Sequence, residues 1–284
     1  MMPGYAGLAA AVLLFSCLNS FAEEATRPEG SAETVASFSI KEARQAVAVD
    51  QGAFYAIDNA TIAKYDKKTG QPIANWDGGK NGPILHLDSG VVVDGKLYAA
   101  HSNYPDWPMA SSVEVWDAQT LKHVETHSFG IERGSLTWID RDAKGVWWGG
   151  FANYNRVFDK SPIAYGNKYA TQIVRFDEAW RVAEAWTLPD ELVAKFGDMS
   201  NSGGSWGPDG KLHITGHDNA ELYVMEPPEM GPVMNWIGTV PLEIAGQGIA
   251  WDRSDQNVLY RIIRDKKDNR VTVSRIKPPE PKAL

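Results

Sequence analysis

Short apolar stretches of alternating pattern, each broken by a polar turn, run along most of this chain, and helix-period stretches are few. QAVAVDQGAFYAID begins at Gln45, SGVVVDGKLYAAHS at Ser89, SLTWIDRDAKGVWWGG at Ser135, GSWGPDGKLHITGH at Gly204 and QGIAWDRSDQNVLYRI at Gln247. Each opens on a polar or small residue, passes through apolar positions to an aspartate, turns, and enters a second apolar run. Two-residue periodicity of this kind marks strands. The spacing, in the low to middle forties except where insertions widen it, is that of a propeller blade. The second half of each unit reads as two more strands: TIAKYDKKTGQPIANW, SVEVWDAQTLKHVETHSF, TQIVRFDEAWRVAEAWTL and AELYVMEPPEMGPVMNWIGTV.

The pattern therefore predicts an all-β fold, a β-propeller of five four-stranded blades, with six as the alternative count. The last unit supplies only a third strand, VTVSRI (Val271 to Ile276), before the proline-rich tail at 278–284, which cannot extend a ladder. The missing strand is expected from ASFSI near Ala36 to Ile40, so that the N-terminal segment closes the last blade and no sheet edge is left open. The expected organisation is a leader at 1–22, a mobile lead-in at 23–34, one propeller over 35–277, and the tail.

Five aspartates align in these units: Asp50, Asp94, Asp140, Asp209 and Asp252. All five are expected at hairpin turns, where Asp bonds its own neighbouring backbone and a following glycine accepts positive φ. Tryptophans are plentiful, 11 in all. Trp76, Trp116, Trp186 and Trp236 fall in outer strands and Trp138, Trp206 and Trp251 in inner ones, where wedge-shaped gaps between blades call for large side chains.

Composition narrows the function. Residues 7–18 (GLAAAVLLFSCL) are apolar but too short to span a bilayer, and Ser20 and Ala22 fit cleavage after Ala22, so export to the periplasm or medium is expected. Lipid anchoring through Cys17, the only cysteine, is the alternative. The folded part would then hold no thiol, which leaves out disulfides, a cysteine nucleophile and thiolate metal sites. A net charge of −8 argues against a nucleic-acid partner. A monomer is expected, with no spanning segment in the mature chain.

The turn motifs VWD-x-x-T (Val115 to Thr120) and KYDKKTG (Lys64 to Gly70), with AAHSNYP (Ala99 to Pro105) and SSVEVWD (Ser111 to Asp117), resemble the secreted bacterial YVTN-type or WD40-like β-propellers, in particular a group named cycloisomerase-like. The resemblance covers nearly the whole mature chain and implies the blade architecture. It implies an acid-handling cyclisation chemistry only by analogy with lactone-forming propeller enzymes, which usually have seven blades, so no catalytic residue is carried over from it.

Propeller geometry directs attention to one face, where inner strands begin and the loops between second and third strands emerge. Three long insertions reach it: 103–112, 156–170, and 189–201, the last expected to carry a short helix after Pro189. His101, His217 and Asp218 are the acid–base candidates, since imidazole titrates near neutrality and a carboxylate can orient it. His86, Asn103, Arg133, Asn153, Gln247 and Arg264 are the ligand-binding candidates, the arginines suited to a carboxylate. No cofactor is expected; a divalent metal on His86, His101 and His217 is a minority alternative, because no close-spaced ligand motif exists. GGSWG (Gly203 to Gly207) opens a strand and is not a phosphate loop, and there is no GxSxG nucleophile. The function expected is the binding of a small polar or carboxylate ligand on the loop face, with lactonase, lyase or cycloisomerase chemistry if the protein is an enzyme. The alternative is a non-enzymatic scaffold for a protein partner.

Overall fold

Inner strands of the repeat are buried on both faces because a neighbouring blade covers each side, whereas outer strands alternate because one side meets water. The computed structural model, which describes residues 27–157, 167–217, 219–244, 247–255 and 258–280, shows this gradient directly. After β1 (Ser31–Ser39), the first blade runs from β2 (Ala46–Val49) through β3 (Ala53–Asp58) and β4 (Thr61–Asp66) to β5 (Pro72–Asp77). All four residues of β2 are buried, and β5 is mostly exposed.

The second blade has a divided inner strand, β6 (His86–Leu87) and β7 (Val91–Val93), both paired with β8 (Lys96–Ser102), followed by β9 (Ser111–Asp117) and β10 (His123–Gly130). The third comprises β11 (Ser135–Arg141), β12 (Trp147–Ala152), β13 (Gln172–Phe176) and β14 (Val182–Thr187), and the fourth β15 (Gly203–Trp206), β16 (Leu212–Thr215), β17 (Glu221–Glu226) and β18 (Asn235–Pro241). The fifth holds β19 (Ile249–Trp251), β20 (Val258–Ile263) and β21 (Arg270–Lys277), and β1 pairs antiparallel with β21 as its outer strand. The fold is thus the expected five-bladed propeller closed by its N-terminal strand. That strand is longer than ASFSI: Ser31 to Thr34, expected in the lead-in, already pair with Lys277 to Ser274. The helix after Pro189 is α1 (Asp190–Ala194).

Inner strands neighbour one another in cyclic order, β2, β7, β11, β15, β19 and back to β2. An apolar cluster fills each interface between adjacent blades: Tyr55, Ile57, Leu97 and Trp116 between the first and second, Leu136, Phe151, Val113 and Val115 between the second and third, Trp138, Ile214 and Tyr223 between the third and fourth. Ile249, Leu259, Leu222 and Val240 pack between the fourth and fifth, and Phe54, Val47, Tyr260 and Ile262 close the ring. GGSWG is explained by this crowding. A Cβ on Gly203 would lie 2.0 Å from the Gln247 carbonyl oxygen, and one on Gly204 2.5 Å from the Trp138 ring, so only glycine lets the inner strands approach so closely.

Four of the aligned aspartates sit at turns. Asp50 accepts from the N–H groups of Gly52 and Ala53, Asp209 from Lys211 and Asp252 from Ser254, while Asp94 (φ 49°) and Gly95 (φ 76°) form the β7–β8 turn. Asp140 departs from the expectation. It lies within β11, almost wholly buried, and accepts from Ser205 Oγ, the Trp206 N–H and Arg253 Nη2, tying the third blade to the fourth and fifth. The turn beside it is served by Asp142, which accepts from Lys144 and Val146.

Candidate functional site

On the loop face, the first, second and fifth blades bring polar groups together at the mouth of the central channel. The divided inner strand of the second blade is the local cause. His86 pairs with Ser102, Leu87 with His101, and the Asp88 N–H donates to the Ala100 carbonyl; the ladder then gains one residue before Val91 pairs with Tyr98. Such a bulge re-aims side chains next to it. His86 and Asp88 are both buried, and His86 Nε2 lies 3.7 Å from Asp88 Oδ1.

The first blade fixes the His86 ring. Gln45 Nε2 donates to Asn59 Oδ1 at 2.9 Å, and His86 Nδ1 stands 2.6 Å from the same oxygen. That oxygen only accepts, so Nδ1 carries the ring proton and Nε2 presents its lone pair toward Asp88. Tyr104, from the β8–β9 loop, stacks on the ring with centroids 4.8 Å apart. Burial, aided by the positive fields of His101 and Arg264, lowers the His86 pKa to about 4. Burial pushes the Asp88 carboxyl well above the usual carboxylate range, with Arg264 pulling the other way. Two buried oxygens in this cluster, Asp88 Oδ1 and Gln45 Oε1, accept no hydrogen bond. Unsatisfied buried acceptors are uncommon and call for an explanation.

Of the residues singled out in the sequence, His86 and Arg264 enter this cluster. Gln247 stands beside it: it is buried and precedes Gly248, whose N–H donates to the Gln45 carbonyl. His101 lies next to it but has both ring nitrogens engaged. Nε2 accepts from the Leu85 N–H at 3.0 Å, so Nδ1 donates to Ser112 Oγ at 2.9 Å, and that hydroxyl donates to buried Glu114 at 2.6 Å. Glu114 also takes His123 Nε2 and Thr126 Oγ1, so His101 anchors a network inside the blade. His217 is half-buried after β16 in the fourth blade; Asp218 lies outside the described residues.

Asn103 and Asn153 stitch loops, the first bonding Pro108 and Ala110, the second the carbonyls of Arg133 and Ala170. Arg133 donates to Gln172 Oε1 at 3.0 Å. Among the described residues no group of three or more His, Cys, Asp or Glu is placed to hold a metal ion, so His86, His101 and His217 do not converge as ligands. No helix there is long and apolar enough to cross a membrane.

Asn59 was missed, although a signal existed. Aligning the ends of the second strands, IDNA, HSNY and FANY, puts Asn59 level with Asn103 and Asn153.

No protein-family model and no curated protein matches the chain in sequence, so the YVTN-type and cycloisomerase-like resemblance gains no support from those comparisons. Solved structures do match in shape. Glutaminyl cyclase from Myxococcus xanthus aligns with a TM-score of 0.56 at 9% identity, covering 88% of this chain and 98% of that one. A luciferin-regenerating enzyme aligns at 0.52 and 11% identity over 88% and 95% of the two chains. The aldose sugar dehydrogenase of Streptomyces coelicolor, solved with PQQ bound, aligns at 0.50 and 13% identity over 89% and 100%. These neighbours are propeller enzymes, and at such identities the likeness shows the fold alone.

Proposed function

We propose that the loop face binds a small polar molecule carrying a carboxylate, with Arg264 as its counter-charge and the His86–Asp88 pair beneath it. The observation that carries this reading is the buried, unpartnered Asp88 Oδ1 beside the lone pair of His86 Nε2, under the field of Arg264. A neutral imidazole and a carboxyl biased toward its protonated form make an acceptor and a donor that coexist at neutral pH. A lactonase, lyase or isomerase of a small organic acid needs such a pair, one group to take a proton from carbon or water and the other to give one to oxygen. Compared with the sequence expectation, the acid–base role moves from His101 and His217 to His86 and Asp88.

The test is a thermal-shift screen of the folded chain against lactones and small hydroxy and unsaturated acids. A compound at a hundred times its dissociation constant adds about 2.7 kcal/mol, a shift of several degrees for a domain of this size. The reading expects a hit that is lost in both Arg264→Met and Asp88→Asn; hits that survive both substitutions contradict it.

A second reading is favoured by one observation: Leu85, Trp107, Ile131 and Val157, all in loops on this face, are 45–58% exposed. Apolar side chains grouped round a polar mouth suit a protein partner docking there. Capture of a partner that Trp107→Ala and Ile131→Ser abolish, with no small-molecule hit, would favour the scaffold. The leader composition also supports an exported protein, a reading that rests on the sequence.

A further inference from the structure

The opposite face, where the first and second strands of each blade turn, holds a cavity of about 800 Å³ between the third and fourth blades. Four of the chain's 11 tryptophans line it: Trp148, Trp186, Trp206 and Trp251. Packing between blades accounts for Trp148 and Trp251, which are 5% and 4% exposed, but Trp186 and Trp206 remain half-open to the cavity. Trp148 fixes them both, stacking on Trp186 at 5.4 Å and lying tilted against Trp206 at 5.0 Å.

Among the described residues, every cation lining the cavity except Lys144 is paired with a carboxylate. Arg175 meets Glu184 at 2.6 Å, Lys211 meets Glu226, and Arg253 meets Asp140 at 2.7 Å. Cations already matched by carboxylates offer little to an anion. Half-exposed pairs of this kind present donors and acceptors side by side, the arrangement that hydroxyl groups on adjacent carbons engage. Rigid indole faces next to paired donors and acceptors suit a ligand with apolar C–H faces and a polar rim.

The geometry points to a second binding site on this face, for a short neutral oligosaccharide stacked on Trp186 and Trp206 with its hydroxyls on the Arg175–Glu184 and Lys211–Glu226 pairs. It is separate from the loop-face site, lying at the opposite ends of the strands.

Tryptophan fluorescence of the full folded chain, titrated with maltotriose, cellotriose, chitotriose and mannotriose, tests this. Phenylacetate, an aromatic anion with no indole of its own, serves as the anionic comparison. The expected result is saturable change with at least one trisaccharide at a dissociation constant at or below about 1 mM. The affinity should fall at least about tenfold in Trp186→Ala and in Glu226→Gln, and hold in Arg264→Met. Glu226→Gln, on a half-exposed side chain, keeps the test open if Trp186→Ala does not fold. No saturable change with any of the four sugars overturns the proposal. So does binding of phenylacetate alone, or sugar binding untouched by both cavity substitutions.

Discussion

Asp88 is the residue on which the functional reading turns, and its energetics make the reading testable without a ligand. A carboxyl whose folded pKa lies above its unfolded value binds more protons folded than unfolded, so its contribution to stability declines as pH rises from the ordinary carboxylate value through the folded one. Asn keeps the shape and removes the charge. Asp88→Asn is therefore expected to raise the melting temperature at pH 7 to 8, by ~2–4 °C for each kcal/mol relieved, while abolishing ligand binding. A melting temperature that drops instead would show Asp88 to be a structural acceptor. His86 and fully buried His213 have the opposite linkage. Both are held near a pKa of about 4 by burial, so the unfolded chain binds more protons between about 6.5 and 4, and stability falls as pH falls through that window. Melting curves from pH 7 to pH 4.5 should show this decline, and His86→Gln should flatten it.

Secondary-structure elements were the most legible level of the sequence, because alternation and turn chemistry are local. The five inner strands, the short helix after Pro189 and the closing strand all follow from residues within a few positions of one another. Asp140 shows where local reading stops. Asp140 and Asp209 occupy matching places in the repeat, yet Asp209 serves its own turn and Asp140 is bonded by donors more than sixty residues away. Asp140→Ala should cost about 2–4 kcal/mol, because it leaves the Ser205 hydroxyl and the Trp206 N–H without their acceptor, and Asp209→Ala about 1 kcal/mol or less, a contrast that urea denaturation would resolve. The closing strand carries its own expectation. A chain begun at Lys41 leaves the β21 edge unpaired and should lose its cooperative transition or aggregate, and adding the 27–40 peptide should restore it. An unchanged melt would mean that β1 is dispensable to closure.

At the scale of the whole molecule, five interfaces filled by five apolar clusters hold a narrow ring, and function is left to its two ends. Which face would carry polar groups was legible, since strand ends and long loops declare it. Which of those groups meet was not, because His86, Asp88, Asn59 and Arg264 come from three blades and converge only on closure, and because the bulge that re-aims Asp88 leaves no distinct mark in the text. The cavity on the other face was hidden for the same reason: its tryptophans read as packing until the gap between the third and fourth blades was seen. Export is checked by intact mass. Cleavage after Ala22 predicts a chain beginning at Glu23, and a lipidated form would begin at Cys17 with added acyl mass.

The central claim, that the His86–Asp88–Arg264 cluster is the ligand site, is tested most directly by the ring resonances of the 6 histidines, ¹⁵N-labelled and followed as the best carboxylate hit is added. The account predicts that His86 starts as the neutral Nδ1–H tautomer at pH 7 and shifts saturably with ligand, while buried His213 stays still. A His86 signal that is cationic at the outset, or that does not move while the protein demonstrably binds, would contradict it.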